Sequence, residues 1–189
     1  TVGRVSARGR FSAVLQDRHW VAPGILEFCL QRPAGFDFLP GQFVRLAMDG
    51  YQRDYTMISE PGAATLDFCI AAAAGGRFST AIQQARIGSR FQVHGPLGHF
   101  IYQGAGNPSV FVATGTGIAP FVAFCRSGAV DALLLQGTSI PDRLIYRDLL
   151  QPALRRYVPC ISRPAEIDDN LKNVFSGRVT DYLVRQLKG

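Results

Sequence analysis

Residues 109–120 read Ser-Val-Phe-Val-Ala-Thr-Gly-Thr-Gly-Ile-Ala-Pro, and they do most to decide the fold. The run 109–113 is apolar with β-branched side chains, which is typical of a strand covered on both faces. Gly115 and Gly117 permit a ligand to approach the backbone, and Pro120 suits the opening turn of a helix. Because helix N-termini attract phosphate, the stretch predicts a strand, an anion-binding turn and a helix. A tight packing turn explains the glycines equally well, since the GxGxxG spacing is absent.

Strands and helices alternate through the rest of this half of the chain. The predicted elements are a buried strand, a helix, a further strand and an amphipathic helix, at residues 129–135, 144–156, 157–161 and 177–187. Pro159 moves the last of these strands toward a sheet edge, because proline cannot donate to a ladder. The alternation predicts a doubly wound α/β domain with a parallel sheet, which we place at residues 104–189.

The first half shows short, β-rich runs separated by glycine and proline. Residues 42–48 and 65–70 alternate apolar and polar side chains, as half-buried strands do. Turn signals follow the same rhythm, at Pro40-Gly41, Asp49-Gly50 and Pro61-Gly62. Short strands at regular spacing predict an antiparallel barrel or sandwich over residues 1–103, interrupted by one helix near 79–85.

The charge of the chain is positive but spread out. The 189 residues include 20 Lys and Arg against 14 Asp and Glu, which leaves a formal charge of +6. Arg4, Arg8 and Arg10 form the one dense cluster, so nucleic-acid binding is not expected without a basic stripe or a known module. A solvated surface explains the positive charge, and binding to an acidic protein partner is a more specific alternative explanation. No run approaches the ~18 apolar residues of a membrane span, and the basic start lacks the apolar core of a signal peptide.

The cysteines and histidines do not form recognisable reactive sites. No CxxC pair supports zinc, iron–sulfur or thiol-redox chemistry, and no metal site is expected. The cysteines stand in apolar runs and are interpreted as small buried hydrophobic side chains, which fits a reducing cytoplasm. They are Cys29, Cys69, Cys125 and Cys160. The histidines are scattered without a catalytic partner, so we expect structural or surface roles for His19, His94 and His99.

Three further segments combine residue types that bind anions or flat rings. Arg-Asp-Tyr-Thr at 53–56 places a guanidinium, a phenol ring and a hydroxyl on one short predicted strand. Gly-Gly-Arg-Phe-Ser-Thr at 75–80 ends a strand and begins a helix, which gives a second anion-binding helix start. Gly-Pro-Leu-Gly-His-Phe occupies residues 95–100. Taken singly, an ion pair, a core tyrosine and a capped helix explain these segments as well.

Together with Gly-Thr-Gly-Ile-Ala-Pro-Phe at 115–121, and in this order, these segments resemble the motifs of the ferredoxin–NAD(P)H reductase family of flavoproteins. The resemblance covers nearly the whole chain. It implies an antiparallel Greek-key β-barrel that binds FAD, followed by a doubly wound α/β domain that binds NAD(P).

The resemblance also implies an activity. The chain would be an FAD-dependent oxidoreductase that takes hydride from NADPH or NADH and passes electrons to an external carrier such as an acidic ferredoxin or flavodoxin. Three alternatives remain open: the reductase component of an oxygenase, a flavin reductase, and a non-catalytic flavin-binding electron-transfer subunit.

Site residues carry over by position. Arg53 matches the family arginine that pairs with flavin phosphate. Tyr55 matches the aromatic ring that lies against the isoalloxazine, and Thr56 matches the hydroxyl near flavin N5. The resemblance therefore implies that Tyr55 and Thr56 are the catalytic residues. The resemblance assigns the FAD pyrophosphate to Gly75, Gly76, Phe78, Ser79 and Thr80. It assigns the nicotinamide and its pyrophosphate to Gly115, Thr116, Gly117, Ile118, Ala119 and Pro120.

Selection between the two nucleotides depends on groups that meet the 2′-phosphate. Ser162, Arg163 and Arg178 resemble the basic positions of NADPH-dependent bacterial members, whereas Ser139 stands where several relatives carry another arginine. NADPH is therefore slightly favoured over NADH. Relatives continue beyond a segment like 177–183 into another strand, so the sequence ending at Gly189 predicts a sheet without that strand.

Overall fold

The first structural unit is an antiparallel sheet that curls into a half-barrel. The computed structural model describes residues 8–72, 75–104, 109–163 and 173–187. Six strands of this part are β1 (Gly9–Ala22), β2 (Ile25–Gln31), β3 (Phe43–Met48), β4 (Tyr51–Thr56), β5 (Thr65–Ala71) and β6 (Arg90–Leu97). They are ordered β4-β3-β6-β1-β2-β5, and helix α1 (Arg77–Gln84) joins β5 to β6. The predicted antiparallel barrel architecture is confirmed.

Alternating side chains fill the inside of this sheet with aromatic and aliphatic groups. Phe28, Phe68 and Phe91 are fully buried, and the Phe28 ring stacks on Phe68 with their centroids 5.1 Å apart. Strand β1 pairs with β6 along its first half and with β2 along its second half. Register shifts near Leu15 and Trp20 let this long strand serve both partners, since bulges bend a strand.

The second unit is a parallel sheet with helices on both faces. Its described elements are β7 (Ser109–Thr114), a 3₁₀ turn (Gly115–Ile118), α2 (Ala119–Arg126), β8 (Val130–Thr138), a second 3₁₀ turn (Pro141–Arg143), α3 (Arg147–Ala153), β9 (Leu154–Ile161), β10 (Phe175–Ser176) and α4 (Val179–Leu187). The strand order is β10-β9-β8-β7. Ala132 and Leu134 pack toward α2 and α3, whereas Leu133 and Leu135 pack toward α4. The predicted doubly wound domain is confirmed.

Two local predictions in this unit are wrong. Strand β7 is not covered on both faces: it forms an edge of the described sheet, and Val110 and Val112 are 56% and 42% exposed. The helix predicted at 144–156 is shorter, because Leu154 begins β9 and pairs with Val130. Pro159 does lie near an edge, since β10 covers only Cys160 and Ile161 of β9. Strand pairing decides these details, and a single-sequence pattern does not contain it.

An apolar cluster joins the two units. Ile25, Ile58 and Cys69 of the half-barrel pack in one buried cluster with α2 and α3. The division at residues 103 and 104 stays a prediction, because residues 105–108 lie outside the described ranges. Among the described helices, none is long and apolar enough to cross a membrane.

The cysteines are free thiols, and most are buried as predicted. Cys69, Cys125 and Cys160 are buried, whereas Cys29 is partly exposed. Burial raises the pKa of Cys125 and Cys160 to about 11. Burial, helped by the negative charge of Asp67, raises that of Cys29 to about 12.

We expect the native chain to resist thiol reagents at pH 8. A thiol with a pKa of about 11 is ionised in only about one molecule in a thousand at that pH, and the thiolate is the reactive form. Titration with a disulfide reagent should detect all four thiols in denaturant and almost none in buffer. Rapid modification of Cys29 in the folded chain would contradict this expectation.

Candidate functional site

Strand β4 presents the first group of predicted site residues at a sheet edge. Among the described strands it pairs with β3 alone, with Arg53 opposite Leu46 and Tyr55 opposite Val44. The strand period of two places Arg53 and Tyr55 on the same face. The Arg53 guanidinium is exposed and donates a 2.8 Å hydrogen bond to the Gln52 carbonyl. Its charge is therefore available to an anion.

The Tyr55 ring is held from behind by two aromatic side chains. Its centroid lies 5.6 Å from Phe78 of α1 and 6.3 Å from Phe28, which meets it edge-on at 86°. Burial raises the pKa of the Tyr55 hydroxyl, and the nearby positive charge of Arg53 opposes that shift. The phenol therefore stays neutral near pH 7 and offers a fixed flat surface. Thr56 ends the strand and is partly exposed.

The start of α1 provides unpaired backbone donors near this strand. Gly75 has φ +79°, and a Cβ there would meet nothing within 4 Å. In the part of the chain that the structure describes, no side chain caps this helix at Gly76. The Ser79 hydroxyl donates to the Gly76 carbonyl at 2.9 Å, and the Thr80 amide donates to the same oxygen. The amide of Thr80 is thus used within the helix, whereas the first turn still offers orphan N–H groups.

This arrangement fits the phosphate-bearing flavin that the motifs imply. A cavity of about 610 Å³ lies between α1 and the β3–β4 turn, with Gly75, Thr80, Tyr51 and Arg77 in its wall. The other residues predicted for the flavin are outside its lining: Arg53, Tyr55, Thr56, Gly76, Phe78 and Ser79. The guanidinium of Arg77 lies 6.0 Å from the Tyr51 ring centroid, which adds a cation that the motif assignment does not include. Positive charge, free amides and a supported ring are the groups that a dinucleotide flavin requires.

A second cavity of about 460 Å³ lies at the carboxyl ends of the parallel strands. Ligands of open α/β sheets bind at this edge. Gly115, Thr116, Ser162 and Arg178 line the cavity, so the structure brings together four residues predicted for the nucleotide. The remaining predicted residues are outside its lining: Gly117, Ile118, Ala119, Pro120 and Arg163. Ile118 and Ala119 are buried in the apolar cluster with α2 and α3, and Pro120 lies in the opening turn of α2 as predicted.

The half-barrel forms the opposite wall of this cavity. Gly24 and Ile25 from the β1–β2 turn and Ala71 from the end of β5 all line it. A ligand in this space therefore contacts both structural units. Cys160, another lining residue, is buried, and burial raises the pKa of its thiol to about 11.

Arg143 is a cavity residue that the sequence motifs do not single out. It ends the second 3₁₀ turn, is exposed, and forms no ion pair with another described residue. Its guanidinium would lie 3.6 Å from a Cβ at Gly24, so it reaches across to the half-barrel. The sequence gives little sign of a role for Arg143, because an arginine shortly after Pro141 is what an ordinary surface turn also contains.

We expect Arg143→Ala to weaken nucleotide binding. A charged hydrogen bond to phosphate is worth about 1.5–3 kcal/mol, which corresponds to at least a tenfold rise in the Kd for NADP⁺. Isothermal titration of the wild-type chain, this variant and Arg86→Ala, an exposed arginine in the half-barrel, would measure the effect. Equal affinity of all three proteins would remove Arg143 from the site.

The outer face of the half-barrel gathers charges that are distant in sequence. Strand register aligns Asp54, Arg45, His94 and Arg10 in one row across four strands. Arg45 donates two hydrogen bonds of 2.7 and 2.9 Å to Asp54 and lowers the pKa of that carboxyl group. The row therefore contains two arginines and one carboxylate, and the Asp54 carboxylate is paired with Arg45, so Arg10 carries the positive charge of the row that has no ion-pair partner among the described residues.

Comparisons with known proteins agree with this architecture. Residues 12–102 match the family model described as oxidoreductase FAD-binding domain. Methane monooxygenase component C of Methylosinus trichosporium is 32% identical over 185 residues, which cover 89% of this chain and 54% of that protein. Ferredoxin–NADP reductase B of Sorangium cellulosum is 30% identical over 187 residues, covering 89% of this chain and 76% of the relative. The chain thus spans about half the length of the methane monooxygenase component.

A solved structure shows the same fold. A ferredoxin NADP⁺ reductase from Neisseria gonorrhoeae with bound FAD and NADP superposes with a TM-score of 0.78 at 24% identity, covering 94% of this chain and 76% of that one. An antiparallel half-barrel joined to a parallel α/β sheet is the architecture that the two proteins share. The chain belongs to the ferredoxin–NADP reductase family of flavoproteins.

Proposed function

We propose that this chain binds FAD at β4 and the start of α1, binds NADPH or NADH at the carboxyl ends of the parallel strands, and transfers hydride from the nucleotide to the flavin. The observation that carries the proposal is the cavity of about 460 Å³ between the units. Its wall combines the Gly115 turn and Arg178 with residues of the half-barrel, so a nucleotide bound there faces the flavin-binding unit.

The side chains of the first site bind and orient. Arg53 supplies positive charge and a planar set of donors suited to phosphate. The first-turn amides after Gly76 supply further donors, and the Tyr55 ring supplies a flat surface backed by Phe28 and Phe78. Thr56 supplies a hydroxyl at the end of β4 for a hydrogen bond at the reacting edge. FAD supplies the exchange between a two-electron hydride donor and one-electron carriers.

The second site holds the nicotinamide nucleotide in place. Hydride transfer requires the reacting atoms about 3–3.5 Å apart and needs no strong acid or base. Gly115 has φ +53° and nothing within 4 Å of a Cβ position, so the backbone is open to a phosphate. Arg178, at the start of α4, donates its backbone N–H to the Asp181 carboxylate at 2.9 Å. Arg178 and Ser162 line the same cavity, which supports a slight preference for NADPH.

Anaerobic mixing of the FAD-loaded chain with each nucleotide tests the proposal. We expect NADPH, and more slowly NADH, to bleach the visible flavin absorbance. If the flavin kept its colour with both nucleotides, the proposal of an enzyme would be contradicted, and the alternative of a non-catalytic flavin-binding subunit would be favoured. A large preference for NADH would contradict the role of Arg178 and Ser162 in binding the 2′-phosphate.

We also propose an acidic electron carrier, or the oxygenase of a multicomponent system, as the acceptor, and a reducing cytoplasm as the location. The relatives include electron transfer components of 2-halobenzoate 1,2-dioxygenase and toluate 1,2-dioxygenase, as well as a ferredoxin–NADP reductase. The +6 charge supports an acidic carrier, and the buried free thiols support the location.

The acceptor proposal predicts a steep salt dependence. Added salt screens the attraction between oppositely charged proteins and slows their association. We expect the rate of ferredoxin or flavodoxin reduction to fall at least about tenfold between low and high ionic strength, with flavin reduction by NADPH much less affected. A rate independent of salt would favour a small-molecule acceptor, as in a flavin reductase.

A further inference from the structure

Helix α2 connects the two proposed binding sites. It begins directly after the Gly115–Ile118 turn, which borders the nucleotide cavity, and it ends at Arg126. Eight residues of α-helix span about 12 Å. Arg126 therefore lies one helix length from the nucleotide turn, at the side of the half-barrel.

The Arg126 guanidinium contacts the half-barrel through hydrogen-bonding and ionic partners. It donates to the Ile58 carbonyl at 3.1 Å and lies 3.5 Å from the Asp67 carboxylate. The side chains of Arg126 and Asp67 are only 24% and 16% exposed. A largely buried ion pair that also satisfies a backbone carbonyl has a defined geometry, because a shift of the guanidinium would leave partners that are already shielded from water without their contacts.

Ile58 lies two residues beyond Thr56, on the segment that leaves β4. This segment is fixed to β5, because the Ile58 amide donates to the Asp67 carbonyl at 2.8 Å and the Ser59 hydroxyl accepts from the Asp67 amide at 3.2 Å. Arg126 thus contacts both the segment after Thr56 and the strand that supports it. It links the flavin-side strand to the helix that starts at the nucleotide turn.

A neighbouring contact between the units restricts Arg126 further. Its guanidinium lies 5.8 Å from the ring centroid of Tyr146, the residue before α3. The Tyr146 hydroxyl donates to Glu27 of β2 at 2.5 Å. Ile58, Phe121 and Val122 pack in the same buried cluster around these groups. Little space is left for the end of α2 to move relative to the half-barrel.

We propose that Arg126 is a positioning residue, which sets the separation of the two binding sites during hydride transfer. This inference rests on the proposed hydride transfer. A displacement of about 1 Å can cost about 100-fold in rate when reacting atoms must be aligned, so a residue distant from the substrate can have a large effect. Neither FAD nor the nucleotide needs to contact Arg126 for this effect.

Single-turnover reduction of the FAD-loaded protein by NADPH tests the proposal. Arg126→Met alone would leave Asp67 buried without its partner, so the decisive variant is Arg126→Met with Asp67→Asn. Asp67→Asn alone keeps the hydrogen bond from Arg126 to Ile58 and is its matched control. Arg155→Met removes an exposed pair with Asp131 at the other end of the sheet and controls for loss of charge.

We expect the limiting rate of flavin reduction to fall at least about 30-fold in the double variant, while FAD content and the Kd for NADP⁺ stay within about threefold of wild type. The long-wavelength charge-transfer absorbance of the nucleotide–flavin pair should weaken in parallel. Arg155→Met should stay within about threefold of the wild-type rate. Asp67→Asn removes the ion pair but keeps the hydrogen bond to Ile58, so it should lose clearly less rate than the double variant. Arg126→Lys, with Asp67 intact, should recover part of the rate, because lysine can still donate to Ile58.

Unchanged limiting rates in the double variant and in Arg126→Lys would overturn the inference, as would a loss confined to nucleotide affinity. If the double variant fails to fold, Arg126→Lys decides alone: a rate about tenfold below wild type with unchanged Kd supports the inference, and a wild-type rate overturns it. A wild-type chain that neither nucleotide reduces would overturn the proposed function itself, which is a separate result.

Discussion

Gly41→Ala is expected to remove much of the stability of the fold. Gly41 has φ +90°, and a Cβ there would lie 2.0 Å from the Phe100 carbonyl oxygen and 2.8 Å from the Phe124 ring. A left-handed alanine costs about 1–2 kcal/mol, and overpacking adds about 1–3 kcal/mol. A backbone oxygen cannot be moved aside by a rotamer change. The summed cost is a large fraction of the unfolding free energy of a typical domain, which is about 5–15 kcal/mol.

Gly35→Ala is the matched control for this substitution. Gly35 also has positive φ, +73°, but nothing lies within 4 Å of its Cβ position. We expect it to cost only the backbone term of about 1–2 kcal/mol. Urea denaturation of the three proteins measures the difference. Equal midpoints for the two variants would contradict the close approach of the chain at Gly41.

Phe28→Ala is expected to cost about 3–5 kcal/mol of unfolding free energy, the usual range for a buried phenylalanine. Phe28 is fully buried, and it stacks on Phe68 and on Phe91, with centroids 5.1 and 6.3 Å away. It also supports the ring of Tyr55 from behind. The variant should therefore bind FAD more weakly even at temperatures where it remains folded.

Phe100→Ala provides the comparison, because Phe100 is 55% exposed although its ring lies near Phe121 and Phe124. We expect it to cost about 1 kcal/mol, since less apolar surface leaves the core. Thermal unfolding with and without FAD separates stability from binding. If Phe28→Ala lost less unfolding free energy than Phe100→Ala, the placement of Phe28 in the core of the half-barrel would be contradicted.

Much of the fold could be predicted from local patterns. Alternation in 42–48 and 65–70 identified β3 and β5, and the run after residue 177 identified α4. Period alone did not distinguish a barrel from a sandwich, because strand order depends on pairing between distant segments. The exposed side of β7 and the early start of β9 were missed for the same reason. They depend on which neighbours each strand receives.

The candidate site could be predicted where its residues are contiguous. Residues 53–56 and 75–80 carry their proposed binding groups within single turns or strands, and these segments form β4 and the start of α1. Arg143 was missed because its proposed role depends on its position opposite Gly24, which is far away in sequence. The charged row on the outer face was missed because only strand register places Arg45 and Arg10 on either side of His94.

Titration of the FAD-free chain with FAD tests the central claim most directly. Saturable binding of one FAD per chain is expected, and Arg53→Ala should raise the Kd at least about tenfold through loss of a charged phosphate contact. Arg45→Ala, on the opposite face of the sheet, should leave the Kd unchanged. A folded wild-type chain that does not bind FAD, or an Arg53→Ala variant that binds it as tightly, would contradict the assignment of β4 and α1 as the flavin site.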